Sequence, residues 1–450
     1  MNETRADSKD SHLLAGLDTE LGRVPKRFYV DSDVYDAEID RLFSRTWLFV
    51  GHESQIPNSG DFVRGVLGTD DVIVTRDREG EVRVLLNSCR HRGMRVCAVE
   101  EGNANFFRCP YHGWTYNADG RLVGVPQRKT SYFDELDVSE FGLVQARAET
   151  YHGLIFATWW HDGPSLVDDL GPMQPYLDIV FNRIPGGVEV LEGVHKYMVP
   201  ANWKILSENS AGDMYHLPST HASAVDLGLR NMPGSVGHTI SAGNGHSFGS
   251  ERGGIVQGSA LPTEYAEPLA AARAKLVESI GPFGEHLVPL GAGLLFPNLS
   301  VLDTVRFRYL RLRIPRGPAM TEVWGWVFVD KALSPELKAE VRRQVSSFFG
   351  PSGLFEQDDH ELFSAIQESL EGYAGRRGTF SIEQGRGHEG SVRDTYGVDL
   401  PGEVGEAFAT EANHRAFYRR WRALIEMGAG PDPLLGINDA RGTHVELSGQ

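Results

Sequence analysis

The chain has 450 residues, of which 41% are hydrophobic and 23% are charged. This composition is typical of a folded protein with more than one domain and excludes a wholly disordered or fibrous chain. Asp and Glu outnumber Lys and Arg by 61 to 44, which gives a net charge of −17. We therefore expect no nucleic-acid partner and no binding to anionic membranes, and no apolar run is long enough to predict a membrane span.

Only three cysteines are present, Cys89, Cys97 and Cys109. This number excludes a disulfide framework and predicts a reduced, cytoplasmic setting. Cys97 has no partner at the spacing of a metal ligand, so we expect it to be a small buried side chain.

The first third of the chain predicts a helix followed by a small β domain. Apolar residues at helical spacing favour a helix over residues 34–49. From about 46 to 160 the pattern changes to short alternating runs, such as 72–77 and 82–87, separated by turn signals. This pattern indicates an antiparallel β domain.

The remainder is mixed, which places the whole chain in the α+β class. We predict helices over 202–217, 262–281, 335–350 and 411–428, strands over 304–314 and 321–330, and a mobile Gly- and Ser-rich loop over 239–254. No Gly-rich nucleotide motif follows a strand. We therefore expect no flavin or nucleotide site in this chain.

A first group of candidate ligands lies in two short motifs. CRHRG at 89–93 supplies Cys89 and His91, and CPYHGW at 109–114 supplies Cys109 and His112. Two thiolates and two imidazoles suit a two-iron, two-sulfide cluster, and the glycine after each histidine allows a tight turn. A tetrahedral zinc site is the alternative, although zinc motifs usually have two or more residues between the first pair of ligands.

A second group lies within residues 202–223. If 203–217 is helical, Asn209, Asp213 and His216 share one face, and Asp213 can accept a hydrogen bond from His216. Pro218 would end that helix and let His221 turn back towards His216. Two histidines and one carboxylate form the facial triad of non-haem Fe(II) sites.

The missing carboxylate has two candidates, Asp358 and Asp359, and their positions do not decide between them. Asp358 also suits a helix N-cap or the surface. We expect Glu208, beside Asn209, to be a solvated or structural charge.

These motifs resemble the α (large, oxygenase) subunits of Rieske non-haem iron aromatic-ring-hydroxylating dioxygenases. The resemblance implies that Cys89 and Cys109 hold one iron of the [2Fe-2S] cluster and that His91 and His112 hold the other. It also implies a mononuclear Fe(II) on His216, His221 and Asp359, with Asn209 near the iron. Asp213 would link His112 of a neighbouring subunit to His216.

The implied fold is a small antiparallel β Rieske domain, residues 46–162, inserted into a larger catalytic domain of residues 1–45 and 163–450. The catalytic domain would wrap an antiparallel sheet around a long helix. The implied partners are O2, a small aromatic substrate, a ferredoxin or an NAD(P)H-linked reductase, and a small β subunit in an α3 or α3β3 assembly. The implied reaction is cis-dihydroxylation of an aromatic ring.

The substrate and the rival functions stay open at this level. Apolar residues suggest a cavity for a neutral arene: Leu217, Leu295, Val301, Leu302 and Phe355. Arg306 and Arg308 would share one strand face, with Arg311 and Arg313 on the other; we favour a solvated face, but a buried arginine would bind an aromatic acid. The rival functions are a monooxygenase or demethylase, a cluster-only electron carrier, and a zinc-binding interaction protein.

Overall fold

The computed structural model describes residues 12–227, 237–251, 263–289, 291–405 and 409–431. Its contacts divide the chain into two compact units. The smaller unit contains Phe43–Pro164, and the larger contains the N-terminal segment up to Leu42 together with Ser165–Ala429. Among the described residues, no helix is long and apolar enough to cross a membrane.

The N-terminal part of the larger unit begins with strand β1, Arg23–Pro25, and helix α1, Ser32–Ala37, which continues as a π-helical segment, Glu38–Phe43. The predicted helix over 34–49 therefore ends earlier than expected. Residues from Leu48 form a strand instead, because they are fully buried and pair with a second strand near Leu154. This tertiary pairing overrides the apolar spacing on which the helix prediction rested.

The smaller unit is almost entirely antiparallel β structure. Seven strands form one sheet in the order β2-β11-β10-β5-β4-β3-β6, and three form a second sheet in the order β7-β8-β9. The elements are β2 Leu48–His52, β3 Asp61–Leu67, β4 Asp70–Arg76, β5 Val82–Leu86, β6 Glu101–Asn103, β7 Phe106–Arg108, β8 Thr115–Asn117, β9 Leu122–Gly124, α2 Arg128–Ser131, β10 Gln145–Tyr151 and β11 Leu154–Thr158. The predicted runs at 72–77 and 82–87 coincide with the paired strands β4 and β5.

The larger unit is built on a ten-stranded sheet with the order β12-β19-β18-β17-β16-β15-β14-β22-β21, and β13 also pairs with β19. The strands are β12 Val188–Val190, β13 His195–Val199, β14 Gly237–Ser241, β15 Ser247–Glu251, β16 Gly291–Leu295, β17 Leu299–Asp303, β18 Arg308–Pro315, β19 Thr321–Asp330, β20 Thr379–Ser381, β21 Glu389–Ser391 and β22 Glu403–Gly405. The short strand β20 pairs with β1 outside this sheet. All of these pairings are antiparallel, so the predicted α+β class with antiparallel sheets is confirmed.

The helices of the larger unit are α3 Leu166–Leu170, α4 Gln174–Phe181, α5 Trp203–Ser210, α6 Leu217–Thr220, α7 Ala222–Asp226, α8 Thr263–Ile280, α9 Pro335–Phe348, α10 Leu354–Glu371, α11 Val392–Tyr396 and α12 Ala412–Glu426. Helix α12 packs against β14 and β22, and ten of its fifteen side chains are buried. Helix α5 contacts β16, β17 and β18, and α10 contacts β13. The sheet therefore positions α5, which carries Asn209, and α10, which carries Asp359.

The helix predicted over 202–217 is wrong in its second half. Helix α5 ends at Ser210, and Gly212 follows with φ of +94°. A Cβ on Gly212 would lie 2.8 Å from the backbone nitrogen of Gly249 on β15, so the chain turns here against the sheet. Pro218 does not end a helix as we expected; it lies in the first turn of α6, where its missing N–H costs nothing.

The predicted mobile loop over 239–254 is also wrong over its described part. Residues 237–251 form the hairpin of β14 and β15, with Ile240 paired to Phe248. Residues 252–254 lie outside the described residues, as does residue 262 of the next predicted helix. The remaining predicted helices and strands agree with α8, α9, α12, β18 and β19 to within four residues.

Candidate functional site

Two loops of the smaller unit have the same backbone conformation. In each, the cysteine N–H donates to the carbonyl five residues later at 2.8 Å, and the glycine four residues after the cysteine donates back to the cysteine carbonyl. Gly93 and Gly113 adopt φ values of +70° and +74°, which favour glycine over other residues. The repeated turn places Cys89 and Cys109 at equivalent positions, whereas His91 lies two residues after its cysteine and His112 lies three residues after its cysteine.

The candidate ligands of these loops meet in two pairs, the two histidines with each other and the two cysteines with each other. The rings of His91 and His112 have centroids 4.5 Å apart, and Trp114 stacks on His91 at 5.0 Å. Both cysteines are buried and unbridged. Nδ1 of His91 is buried without a hydrogen-bond partner among the described residues.

Burial and neighbouring groups shift the pKa values of this group in opposite directions. Burial raises the pKa of the Cys109 thiol, and the adjacent Cys89 raises it further. Burial and the neighbouring His112 lower the pKa of His91, so its imidazole is neutral. Two thiols and a neutral imidazole with an unused nitrogen fit a [2Fe-2S] cluster, whose positive irons would stabilise the thiolates.

A second cluster of side chains lies in the larger unit: His216 directly precedes α6, His221 directly follows it, and Asp359 lies on α10. Oδ1 of Asp359 is 3.7 Å from Nε2 of His216 and 3.5 Å from Nε2 of His221. The three ligand atoms lie within 4.8 Å of one another. Two imidazole nitrogens and one carboxylate oxygen on a common centre have the chemistry of a non-haem Fe(II) site.

The other nitrogen of each histidine faces a second carboxylate. Nδ1 of His216 is 3.3 Å from Oδ2 of Asp213, and Nδ1 of His221 is 3.3 Å from Oδ2 of Asp358. A carboxylate at Nδ1 holds the proton there and leaves the Nε2 lone pair available to a metal. Asp358 is thus neither an N-cap nor an isolated surface charge, because it lies inside α10 and faces His221.

Burial shifts the pKa values at this site, and the neighbours partly reverse the effect. Burial raises the pKa of Asp359 to about 6, although His216 opposes the shift. Burial alone would raise the pKa of Asp213, but its close contact with His216 lowers it overall. Burial alone would lower the pKa of His216, but the same contact raises it overall. A divalent cation between these groups would favour the charged form of Asp359.

Asn209 lies in the last turn of α5, and its Nδ2 is 3.3 Å from Nε2 of His216. The predicted continuous helix face does not exist, since α5 ends before Asp213. The tight turn at Gly212 nevertheless keeps the two close, with the Asp213 N–H donating to the Asn209 carbonyl at 3.3 Å.

Comparison with known proteins places both groups of residues in known domains. Residues 46–144 match the model of the Rieske [2Fe-2S] domain, and residues 189–426 match the catalytic domain of ring-hydroxylating α subunits. The chain belongs to this family. A catalytic-domain match of this length also excludes the cluster-only electron carrier that the sequence left open.

The relatives span nearly the whole chain. The chain is 36% identical over 435 residues to biphenyl dioxygenase subunit α of Paraburkholderia xenovorans, covering 91% of this chain and 92% of the relative. It is 34% identical over 436 residues to the N,N-dimethyl phenylurea N-demethylase α subunit of a Sphingobium species, covering 90% and 92%. A naphthalene 1,2-dioxygenase structure with bound indole superposes with a TM-score of 0.84 at 31% identity, covering 92% of this chain and 94% of that one.

Tyr116 lies at the candidate cluster site and is a residue that the motifs did not reveal. Its hydroxyl oxygen lies 3.3 Å from Sγ of Cys89 and accepts a hydrogen bond from the Arg90 N–H at 3.1 Å. A hydroxyl that donates to a cluster sulfur raises the reduction potential. The only sequence signal is a tyrosine in the strand after the second motif.

Glu356 is a second missed residue, one turn before Asp359 on α10. Its carboxylate accepts hydrogen bonds from Tyr197 at 2.7 Å and from Arg311, and His360 lies 3.2 Å away. These contacts tie the start of α10 to β13 and β18. Burial raises the pKa of Glu356, but Arg311 and His360 outweigh it and hold it at about 2.

The prediction of a solvated arginine face on β18 is wrong. Arg308 is completely buried, donating to the Val180 carbonyl at 2.9 Å and facing Asp330 at 2.8 Å. Arg306 precedes the strand and pairs with Glu340 at 2.8 Å. Alternation along a strand predicts which side chains share a face. It does not predict that α4 covers the face that carries Arg308.

Apolar and structural residues complete the surroundings. The Phe355 ring packs edge-on against His221 at 5.2 Å, and Leu302 belongs to the same buried cluster as Phe355. Leu217, Leu295 and Val301 are also buried. Glu208 is structural, since it accepts hydrogen bonds from the hydroxyls of Tyr29 and Tyr418 in the interior.

Proposed function

We propose that the chain is the terminal oxygenase that converts an aromatic ring, O2, two electrons and two protons into a cis-dihydrodiol. The convergence of two histidine Nε2 atoms and the Asp359 carboxylate carries this proposal, together with membership of the family. The relatives named for biphenyl and naphthalene dioxygenation support an aromatic ring as the substrate.

The two cofactors of the family are a [2Fe-2S] cluster and a mononuclear iron. We assign the cluster to Cys89, His91, Cys109 and His112, and the mononuclear iron to His216, His221 and Asp359. When bound, these groups supply single electrons and open coordination positions for O2, respectively.

The protein groups around the iron ligands hold protons and shape the site. Asp213 and Asp358 keep the protons of His216 and His221 on Nδ1, which orients both rings. Asn209 lies beside His216 as a hydrogen-bonding amide. The ring of Phe355 supplies an apolar wall next to His221, as an aromatic substrate requires.

Asp213 is also the proposed connection between the two sites. Its side chain is 27% exposed, so it remains accessible to a second chain while it contacts His216. His112 is only partly buried. We infer that His112 of one copy meets Asp213 of another, which would place one copy's cluster beside the other's iron.

Electron donors and assembly follow from the same reasoning. Proteins of this family act with partner proteins on a substrate and O2. We propose a ferredoxin or an NAD(P)H-linked reductase as donor, a small β subunit, and an α3 or α3β3 assembly. We also propose domain boundaries at residues 46–162 for the Rieske domain, supported by the compact unit Phe43–Pro164, and a cytoplasmic location, supported by three free cysteines.

A single turnover tests the proposed reaction. The purified chain is reduced chemically, freed of reductant, and mixed with ¹⁸O2 and either naphthalene or 2-naphthoate. We expect a dihydrodiol carrying two labelled oxygens from at least one of these arenes. A single labelled oxygen in every product would contradict dioxygenation.

A product with one labelled oxygen would indicate a monooxygenase or demethylase. The relative named as an N,N-dimethyl phenylurea N-demethylase α subunit supports this alternative. An N,N-dimethyl phenylurea, offered as substrate in the same single-turnover experiment, tests this alternative. Loss of an N-methyl group from such a urea, without ring dihydroxylation of naphthalene, would establish the alternative function.

A further inference from the structure

Arg313 on β18 is a buried guanidinium without a carboxylate partner. The arginines less than a tenth exposed in the described ranges are Arg183, Arg308, Arg313 and Arg415. Three of these face carboxylates: Arg183 faces Asp303, Arg308 faces Asp330, and Arg415 faces Glu389. For Arg313, which is 3% exposed, no ion pair is found with any described residue. A buried charge is costly unless it is paired, so Arg313 stands apart.

Two of the five N–H donors of Arg313 remain unused. Nη1 donates to the Ser300 hydroxyl and to the Arg311 carbonyl, and Nη2 donates to the Ser210 hydroxyl at 2.6 Å. Nε has no hydrogen-bond partner among the described residues. The free donors are therefore Nε–H and one N–H on Nη2, the two nitrogens that lie along one edge of the guanidinium. This edge matches the two oxygens of a carboxylate.

The position of Arg313 connects it to the iron site. Its partner Ser210 directly follows Asn209, whose Nδ2 is 3.3 Å from Nε2 of His216. Ser210 donates its own hydroxyl proton to the Leu206 carbonyl at 3.1 Å, so its oxygen accepts from Arg313. The guanidinium thus lies at the same end of α5 that borders the candidate iron ligands.

The charged groups near Arg313 do not neutralise its positive charge. Arg311, two residues earlier on the same face, already pairs with the Glu356 carboxylate. Burial and the adjacent Arg311 lower the pKa of Arg313 to about 9, against the weaker influence of Glu356. An anion at its free edge would stabilise the charged form.

We propose that Arg313 binds the carboxylate of an aromatic acid, which makes this oxygenase an arene-carboxylate dioxygenase; this inference rests on the proposed function. Nε and Nη2 would hold the acid side-on, with Ser210 and Ser300 fixing the plane of the guanidinium. The ring would then lie towards the iron ligands. In the competing structural role, Arg313 only caps the carbonyl end of α5 and binds no ligand.

Calorimetric titration of the iron-replete enzyme tests this assignment. The probes are 2-naphthoate and its neutral analogue 2-naphthamide, which have nearly the same shape. We expect wild-type enzyme to bind the acid about 100-fold more tightly than the amide, because a buried cation without its anion is strongly unfavourable. Equal affinities in wild-type enzyme would overturn the proposal without any variant.

Variants separate recognition from a structural role. Arg313→Met should bring the affinities for 2-naphthoate and 2-naphthamide within about threefold of each other. Arg313→Lys should retain about a tenfold preference for the acid, because lysine keeps the positive charge but lacks the planar pair of N–H donors. Arg306→Met is the matched control and should keep the wild-type preference, since Arg306 pairs with Glu340. An acid preference that survives in Arg313→Met would refute the assignment. Because binding is measured without turnover, a failure of ring dioxygenation would appear separately, in the mass of the products.

Discussion

The two proposed metal sites of this chain are built in different ways. The proposed cluster ligands lie within 24 residues of sequence, on two loops with the same hydrogen-bonded turn. The mononuclear site joins residues 209–221 to a carboxylate more than 130 positions later, on α10. A local site is defined by its own turns, whereas a distributed site depends on the sheet that holds its two helical segments together.

The largest effect should come from the ligand that the distributed site takes from α10. In Asp359→Ala, two histidines alone remain to bind the mononuclear iron, so we expect that iron and all turnover to be lost. The visible spectrum of the cluster should be unchanged because its ligands lie on separate loops. Iron analysis and absorption spectra test this, and a variant with full iron content would contradict the assignment.

Asp213→Asn should leave both metal sites filled yet reduce turnover by about 100-fold or more, because the amide cannot hold the Nδ1 proton of His216 as a carboxylate does. Asp358→Asn is the matched comparison at His221, and we expect a loss of about tenfold there. Single-turnover product yields test both variants. Equal losses in the two would remove the special role of Asp213 between the sites.

Iron binding should weaken as the pH falls through about 6. The Asp359 carboxyl has a raised pKa of about 6 in the metal-free protein, and it must be deprotonated to bind iron. We expect about a tenfold loss of Fe(II) affinity for each pH unit below that value. The cluster should be retained over the same range, and a mononuclear affinity that is flat between pH 5 and 7 would be inconsistent with the burial of Asp359.

Glu356→Gln should loosen the distributed site without removing a ligand. The amide cannot match the charged contact with Arg311, so the start of α10 is held less firmly against β18. We expect about a tenfold lower affinity for the mononuclear iron, measured by competition with a chelator. Glu340→Gln, which removes a partly exposed partner of Arg306, should bind iron as the wild type does.

The smallest change is expected in a variant of the proposed cluster site on the two loops of the smaller unit. Tyr116→Phe removes the hydroxyl 3.3 Å from Sγ of Cys89 while the aromatic packing remains. We expect the cluster potential to fall by about 40 mV, which corresponds to one hydrogen bond worth about 1 kcal/mol. Redox titration measures this shift, and an unchanged potential would show that the hydroxyl does not donate to the sulfur.

The same contrast explains what could be predicted from sequence. Cys89, His91, Cys109 and His112 could be proposed as cluster ligands from sequence because their spacing and glycines define each loop locally. The choice of Asp359 over Asp358 required the family resemblance. The sequence does not show which of two adjacent helical side chains points towards the histidines. Tyr116, Glu356 and the burial of Arg308 were missed, because they depend on which elements cover one another in three dimensions.

The helix errors have a related cause. Helical spacing suggested that α5 would continue to residue 217, but the close approach of Gly212 to β15 ends it at Ser210. The hairpin of β14 and β15 was read as a loop because its glycines and serines have little strand propensity. In both places, pairing within the sheet decides the local structure.

The most direct test is the iron and acid-labile sulfide content of the purified, reconstituted chain. We expect three irons and two sulfides per chain, falling to two irons with the sulfide unchanged in Asp359→Ala. Two irons and two sulfides in the wild type would contradict the mononuclear site, and a colourless protein containing zinc would contradict both sites.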